Sequence, residues 1–372
     1  MSLPDLSALR AEIEAVNFGL LDLLNRRARL VTAIHALKRA QDLPPFVPER
    51  EQQMLADLVA HNEGPFTDET IRRLFKEIFR ASLDLQERAT ERALRVSRER
   101  RPTDLTITVR DVVIGAAPVL IAGPCSVEDE LQMEQVARCL VELGVKLLRG
   151  GAFKPRTSPY TFQGLGERGL ALLQQAARRY GLVTVTEVTD TRQVELVARY
   201  ADILQIGARN MHHVELLREV GRAGVPVLLK RGLAATLEEL LFCAEYIAGE
   251  GNERIILCER GIRTYERETR NTLDIAAVPL LRQKSYLPVI VDVSHAAGRR
   301  DILAPLGRAA LAAGASGLMV EVHPAPHLAR SDAEQQLDFA AFRRFCAETG
   351  FAPPAPGRHE VPDEALRGLQ LR

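Results

Sequence analysis

At 372 residues the chain is long for one ordinary domain and suits a barrel of about 250 residues beside a smaller unit of about 100. Lysine plus arginine equals aspartate plus glutamate at 49 each, which excludes a global field drawing the protein to nucleic acid or an anionic membrane, so any anion affinity must be local. No apolar run is long enough to span a bilayer, and five scattered cysteines behind an opening with no secretory leader point to a reducing, cytoplasmic compartment.

From Leu6 the apolar residues fall at Leu9, Ile13, Val16, Leu20 and Leu23, then at Leu30, Ile34 and Leu37, spacings of three and four that predict a long helix with a coiled-coil-like seam. The seam skips one beat at Arg27, whose guanidinium should point into the packed face and need an anion there. Lys38 shares that face, whereas Arg10 is turned roughly 100° away and suits a different surface. Pro44, Pro45 and Pro48 break the helix, and a second one should carry Arg50 and Glu51 and end near Asn62, Gly64 and Pro65. Thr67 is the expected cap of a third, with Asp68 and Glu69 in its first turn. Ile71, Phe75 and Ile78 line one face of that helix, and Ser82 and Gln86 interrupt the stripe one turn apart.

Taken singly, these polar residues also suit solvated or capping positions. Together, Arg10, Arg27, Lys38, Arg50, Glu51, Ser82 and Gln86 stand in the order and near the spacing of the all-helical chorismate mutase family, which residues 5–90 resemble. The resemblance implies an intertwined dimer that rearranges chorismate to prephenate, with one arginine, here Arg10, reaching the partner's site. It implies further that Arg10 and Arg27 hold carboxylates, Lys38 and Gln86 address the ether oxygen, and Glu51 takes the ring hydroxyl, with Arg50 and Ser82 in the same binding site. The rearrangement needs no metal or nucleophile, only a bent substrate and donors where negative charge grows. One departure is Val47, where monofunctional relatives carry an aspartate.

Residues 91–104 are rich in charge and are expected to run from the third helix into a linker. A short alternating pair follows near 105–109 and 112–114. Eight β-like runs then alternate with helical ones, near 119–124, 145–149, 183–187, 203–207, 225–230, 254–259, 287–293 and 317–322. The pattern predicts an α/β fold, a (β/α)8 TIM barrel over 105–350 preceded by an all-α three-helix domain over 1–90, and the chorismate mutase resemblance implies that this domain dimerises. A proline-rich stretch at 351–372 is expected to be a flexible tail.

Catalytic groups belong at the C-terminal ends of barrel strands. Those ends carry Cys125, Arg149, Glu187, Arg209, Lys230, Glu259 with Arg260, Asp292 with His295, and Glu321. Closure makes the seventh, eighth and first strands neighbours, so Cys125, His295 and Glu321 should converge, and Asp332 can return from the last loop. Alone, Cys125 suits a small buried hydrophobe and His295 a satisfied core histidine; converged, a thiolate, an imidazole and two carboxylates suit one divalent first-row metal ion of the Mn, Fe, Co or Zn class. Arg149, Lys154, Arg156, Arg209, Lys230 and Arg260 form a cationic set sized for two phosphorylated substrates.

The segments AGPCSVE from Ala122, LRGGAFKPRTSPY from Leu148, QIGARN from Gln205, LLKRG from Leu228, DVSHAAGRR from Asp292 and EVHPAPHLARSD from Glu321 resemble the 3-deoxy-D-arabino-heptulosonate 7-phosphate (DAHP) synthase family over roughly 105–350. That family condenses phosphoenolpyruvate, erythrose 4-phosphate and water. The resemblance implies a metal held by Cys125, His295, Glu321 and Asp332 that polarises the aldehyde, and phosphoenolpyruvate bound by Arg149, Lys154, Arg209, Lys230 and Arg260. Asp292 is counted with the substrate contacts and His295 with the catalytic groups. Lys154, Pro155, Arg156 and Thr157 should meet the aldose phosphate, Glu187 the attacking water, and Lys154 is the candidate proton donor to the new alkoxide. A sister synthase taking arabinose 5-phosphate or a mannosamine acceptor is a competing expectation, against which the KPRTS stretch favours the four-carbon aldose. The leading expectation is a fused bifunctional enzyme, at least dimeric through its helical domain and possibly tetrameric. The alternative is a synthase whose helical domain is mainly a chorismate or prephenate sensor.

Overall fold

The computed structural model describes residues 5–41, 43, 47–154 and 160–351, the side chains of 39, 40 and 86–93 excepted. The chain divides into two compact units, Met1–Ala93 and Leu94–Arg372. The first consists of α1 (Leu6–Ala40), α2 (Pro48–Ala60) and α3 (Asp68–Ala93). Pro48 stands in the first turn of α2, where its missing N–H costs nothing, and the Thr67 hydroxyl accepts the Thr70 N–H at 3.3 Å to start α3. α3 packs on both other helices and buries Phe79. The apolar stripe of α1 is left open: Leu6, Ile13, Val16, Leu20, Leu23, Leu30 and Leu37 are each more than half exposed within this chain. At the skipped beat, the Arg27 guanidinium meets the Ser82 hydroxyl and lies 5.0 Å from the Phe79 ring centroid. A π face and a hydroxyl supply the needed electron density because the group is only partly buried, a burial that lowers its pKa from the ordinary arginine value.

In the second unit, β1 (Ile107–Val109) and β2 (Val112–Ile114) form an antiparallel hairpin. Strands β3 (Val119–Gly123), β4 (Leu147–Arg149), β5 (Val183–Glu187), β6 (Ile203–Ile206), β7 (Val227–Lys230), β8 (Ile255–Glu259), β9 (Val289–Asp292) and β10 (Gly317–Glu321) close into a parallel barrel in the order β10-β3-β4-β5-β6-β7-β8-β9. Their near-continuous apolar runs suit strands buried on both faces. The helical layer comprises α4 (Glu130–Glu142), α5 (Glu167–Tyr180), α6 (Val194–Tyr200), α7 (Val214–Arg222), α8 (Leu237–Gly249), α9 (Ala277–Lys284), the short α10 (Val293–Ala297), α11 (Leu303–Ala312) and α12 (Phe339–Thr349). Gly123 ends β3 at φ +146°, and a side chain there would collide with the Arg149 carbonyl, so glycine lets β3 and β4 approach at the barrel mouth. Among the described residues no helix is long and apolar enough to cross a membrane.

Of residues 91–104, expected to run from the third helix into a linker, those to 93 end α3 and those from 94 pack on the barrel. Leu94 and Val96 join its core, Ser97 bridges Ser285, whose hydroxyl donates to the Val96 carbonyl at 2.7 Å, and Arg98 donates to the Arg282 carbonyl at 2.8 Å. The charges of this segment face outward, while its few apolar side chains point in and decide where it sits. Tail residues 352–372 lie outside the described residues. Val96→Asp in the intact chain should therefore destabilise the barrel by more than about 2 kcal/mol, because a carboxylate would be buried without a partner. A denaturant midpoint equal to that of the parent protein would mean the segment is a free linker.

Candidate active site

Strand geometry gathers four donor groups at the C-terminal mouth of the barrel. Cys125 follows β3, His295 sits in the first turn of α10 directly after β9, Glu321 ends β10, and Asp332 lies in the next loop at φ +45°. One ligand atom from each falls within 4.8 Å of all the others, a grouping that could hold a metal ion. The Cys125 thiol donates to Asp332 Oδ2 at 3.3 Å, and His295 Nε2 stands 3.5 Å from Glu321 Oε1 and 3.8 Å from Asp332 Oδ2. His295 Nδ1 bonds Asp292 Oδ2 at 2.7 Å, which fixes the tautomer and leaves Nε2 facing the group. A soft sulfur, an oriented imidazole and two carboxylates make a donor set that fits a divalent first-row ion.

Electrostatics favour the same reading. Burial opposes ionisation of Glu321 and Asp332, but His295 with Arg149 holds Glu321 down to about 2, and His295 with Arg270 holds Asp332 well below the usual range. Burial, reinforced by Glu321, pushes the Cys125 thiol up to about 12, so an ion ligated there must expel the thiol proton, and its affinity should rise with pH.

Beside this group opens a cavity of about 400 Å³ lined by Arg149, Lys154, Glu187, Arg209, Lys230, Arg260, His295 and Asp332, all named from the sequence. Gln205, Arg263, Arg270 and Asn271 line it as well and were not anticipated. Gln205 had a signal, a polar side chain inside the apolar strand β6; the other three lie between β8 and α9, where the sequence has no period to read. Seven cationic side chains face two carboxylates across this wall, a balance that selects multiply charged anions. Lys154 Nζ lies 3.1 Å from the Cys125 carbonyl oxygen and 3.2 Å from its sulfur, bridging the donor group and the cavity. Burial works against its charge, but the Cys125 sulfur and Glu187 outweigh that and raise its pKa.

Asp292 corrects one expectation. It is fully buried behind the wall, where its carboxylate pairs with Lys230, accepts the His295 backbone N–H at 3.0 Å and holds the His295 ring. It is a group that orients two others and has no face open to a substrate. Pro155, Arg156 and Thr157 lie outside the described residues.

In the helical unit, Arg27, Lys38, Arg50, Glu51 and Ser82 line one cleft together with Val47, Met54 and Phe79. Arg10 is exposed on α1 and does not line that cleft, and the side chain of Gln86 lies outside the described residues.

Fold and site together define a (β/α)8 barrel enzyme for anionic substrates, joined to a small helical unit with a cationic cleft of its own. The chain belongs to the DAHP synthetase I family, whose sequence model matches residues 86–350, and the chorismate mutase type II model matches residues 9–87. It is 57% identical over 254 residues to a phospho-2-dehydro-3-deoxyheptonate aldolase of Thermotoga maritima, covering 68% of this chain and 75% of the relative. A crystal structure of that Thermotoga maritima aldolase (DAHP synthase) superimposes with a TM-score of 0.68 at 55% identity, covering 69% of this chain and 76% of the other. A 2-dehydro-3-deoxyphosphooctonate aldolase of Syntrophotalea carbinolica is 36% identical over 252 residues, covering 62% of this chain and 90% of the relative. The chain thus carries a DAHP synthase domain and a chorismate mutase domain in one polypeptide.

Gly207 begins the turn that carries Arg209, and a methyl added there would overlap the Glu187 carboxylate. Its φ of −70° suits alanine, so the backbone itself would not be strained. Gly207→Ala should displace Glu187 and lower kcat for DAHP formation at least about tenfold, a barrier increase of about 1.4 kcal/mol, with little change in thermal midpoint. Steady-state kinetics beside a melting curve test this, and parental kcat would place Glu187 outside the reaction.

Proposed function

We propose that the barrel condenses phosphoenolpyruvate with erythrose 4-phosphate and water to give DAHP and phosphate, and that the helical unit rearranges chorismate to prephenate. The observation that carries the first half is the joining of the four-donor group to the seven-cation cavity through Lys154. Arg149, Lys154, Arg209, Lys230 and Arg260 hold the phosphate and carboxylate of phosphoenolpyruvate; Arg149 Nε, buried with no hydrogen-bond partner among the described residues, is a donor suited to a ligand. Cys125, His295, Glu321 and Asp332 would hold a divalent ion that, when bound, supplies a Lewis acid for the aldehyde oxygen. Carbon 3 of phosphoenolpyruvate bonds to the aldehyde carbon, and Lys154 delivers a proton to the alkoxide oxygen this creates. A water oriented by Glu187 adds at carbon 2, and phosphate leaves with cleavage of the bond between that carbon and its bridging oxygen. Arg156 and Thr157, with Lys154 and Pro155, take the aldose phosphate. The KPRTS stretch and the greater identity to the heptonate than to the octonate aldolase favour the four-carbon acceptor.

In the helical unit, Arg27 and, from a second copy, Arg10 hold the substrate carboxylates, Lys38 and Gln86 donate to the ether oxygen, and Glu51 accepts from the ring hydroxyl, with Arg50 and Ser82 in the same site. The open apolar stripe of α1 supports pairing with a second copy, which would bring Arg10 to a neighbouring cleft. Chelation of the intact protein should abolish DAHP formation, restore it on addition of a divalent ion, and leave the chorismate rearrangement intact. Full DAHP formation in rigorously chelated protein would remove the metal assignment.

Val47 on the cleft wall, in place of a carboxylate, favours a second role as a sensor of the same ligands. Prephenate should then inhibit DAHP formation by the parent protein, whereas Arg27→Ala should lose both the rearrangement and this inhibition while condensing normally. Inhibition curves that coincide for the two proteins would place the sensor elsewhere.

A further inference from the structure

The loop after β10 carries Asp332 and also buries two amide side chains, Gln335 and Gln336, that no catalytic step above uses. Gln336 ties the loop to β3: its Oε1 accepts the Cys125 N–H at 3.0 Å and its Nε2 donates to the Ser331 carbonyl at 2.8 Å. Gln335 is engaged differently. Its Nε2 donates to Glu321 Oε2 at 2.6 Å, and its Oε1 accepts from Arg270 Nη1 at 2.8 Å, while that same Nη1 stands 3.4 Å from Asp332 Oδ1. One amide and one guanidinium therefore run between the two carboxylates of the donor group.

The chemistry of each partner fixes the arrangement. A guanidinium can only donate, so the Gln335 carbonyl oxygen must face Arg270 and its NH2 must face Glu321. That NH2 engages Oε2 of Glu321, while Oε1 takes the Arg149 guanidinium and faces His295 Nε2. A cation on the carbonyl side polarises the amide and strengthens its N–H as a donor, which steadies the carboxylate in one rotamer. A buried amide lacking either partner would cost stability, so the pairings hold each other in place.

We propose that Gln335, oriented by Arg270, is a positioning residue that sets ion affinity at the Cys125–His295–Glu321–Asp332 group by presenting one chosen oxygen of Glu321. The proposal rests on reading that group as a metal centre. Outer groups that orient ligands ordinarily account for 10- to 100-fold in metal affinity.

The test uses full-length protein, cobalt(II) as the probe, competition with a chromophoric chelator for affinity, and the thiolate-to-cobalt absorption band as a report on ligation. Gln335→Met, close in size and without the amide, should weaken cobalt binding by about 10- to 100-fold and shift the cobalt spectrum. Arg270→Met, at a partly exposed position, should weaken it in the same direction, and Arg270→Lys should recover part of the loss. The double variant should lose less than the product of the single losses, because Arg270 acts in part through Gln335. Parental affinity and spectrum in both Gln335→Met and Arg270→Met would overturn the positioning role. A parent protein that binds no cobalt, or shows the same band after Cys125→Ser, would overturn the metal reading and this proposal with it.

Discussion

The pairing of β10 with β3 closes the barrel, and every feature of its mouth depends on that closure. The register sets Glu321 opposite Gly123, two residues before Cys125, while β10 pairs on its other side with β9, which ends at Asp292 and leads directly into His295. Three donors from distant parts of the sequence thereby stand on three adjacent strand ends. The fourth, Asp332, returns on a loop held by its own buried amides and has a backbone conformation seldom adopted outside glycine, asparagine and aspartate.

Such a mouth concentrates charge in a place that water hardly reaches, and the structure offsets it pair by pair. Arg149 meets Glu321, Lys230 meets Asp292 and Arg231 meets Glu259, each with both side chains almost wholly buried. Buried pairs of this kind add little net stability over an apolar core, but removing one member leaves an uncompensated charge. Asp292 matters most here, because it serves Lys230 on the anion side and His295 on the donor side. The two halves of the site share one carboxylate, so neither can be rearranged without the other. Arg231 does related work one position past Lys230, tying Glu259 to Asp274 and so anchoring the start and end of the loop that brings Arg263 and Arg270 to the cavity.

Much of this was legible in the sequence, for identifiable reasons. Parallel strands buried on both faces leave long apolar runs, and a barrel puts whatever polar residue ends such a run at the mouth; Arg149, Glu187, Lys230 and Glu321 stand there. The same rule misassigned Asp292, because position alone does not say whether a strand-end carboxylate faces the cavity or the ring of the next histidine. Gln335, Gln336 and Arg270 were invisible, since long-range partners in an aperiodic loop leave no local pattern. The segment 94–104 misled through its charge, which hid the inward Leu94 and Val96. Arg27, singled out because it breaks the seam, lies against the Phe79 ring and the Ser82 hydroxyl, partners that a seam pattern does not reveal.

The open stripe along α1 has a consequence for how the two halves of the chain respond to dilution. If that apolar face pairs with a second copy, as proposed, the helical unit's stability becomes a function of protein concentration, whereas the barrel buries its core within a single chain. Under that pairing, dilution would weaken the helical unit before the barrel, so the ratio of the two domains' activities would follow protein concentration.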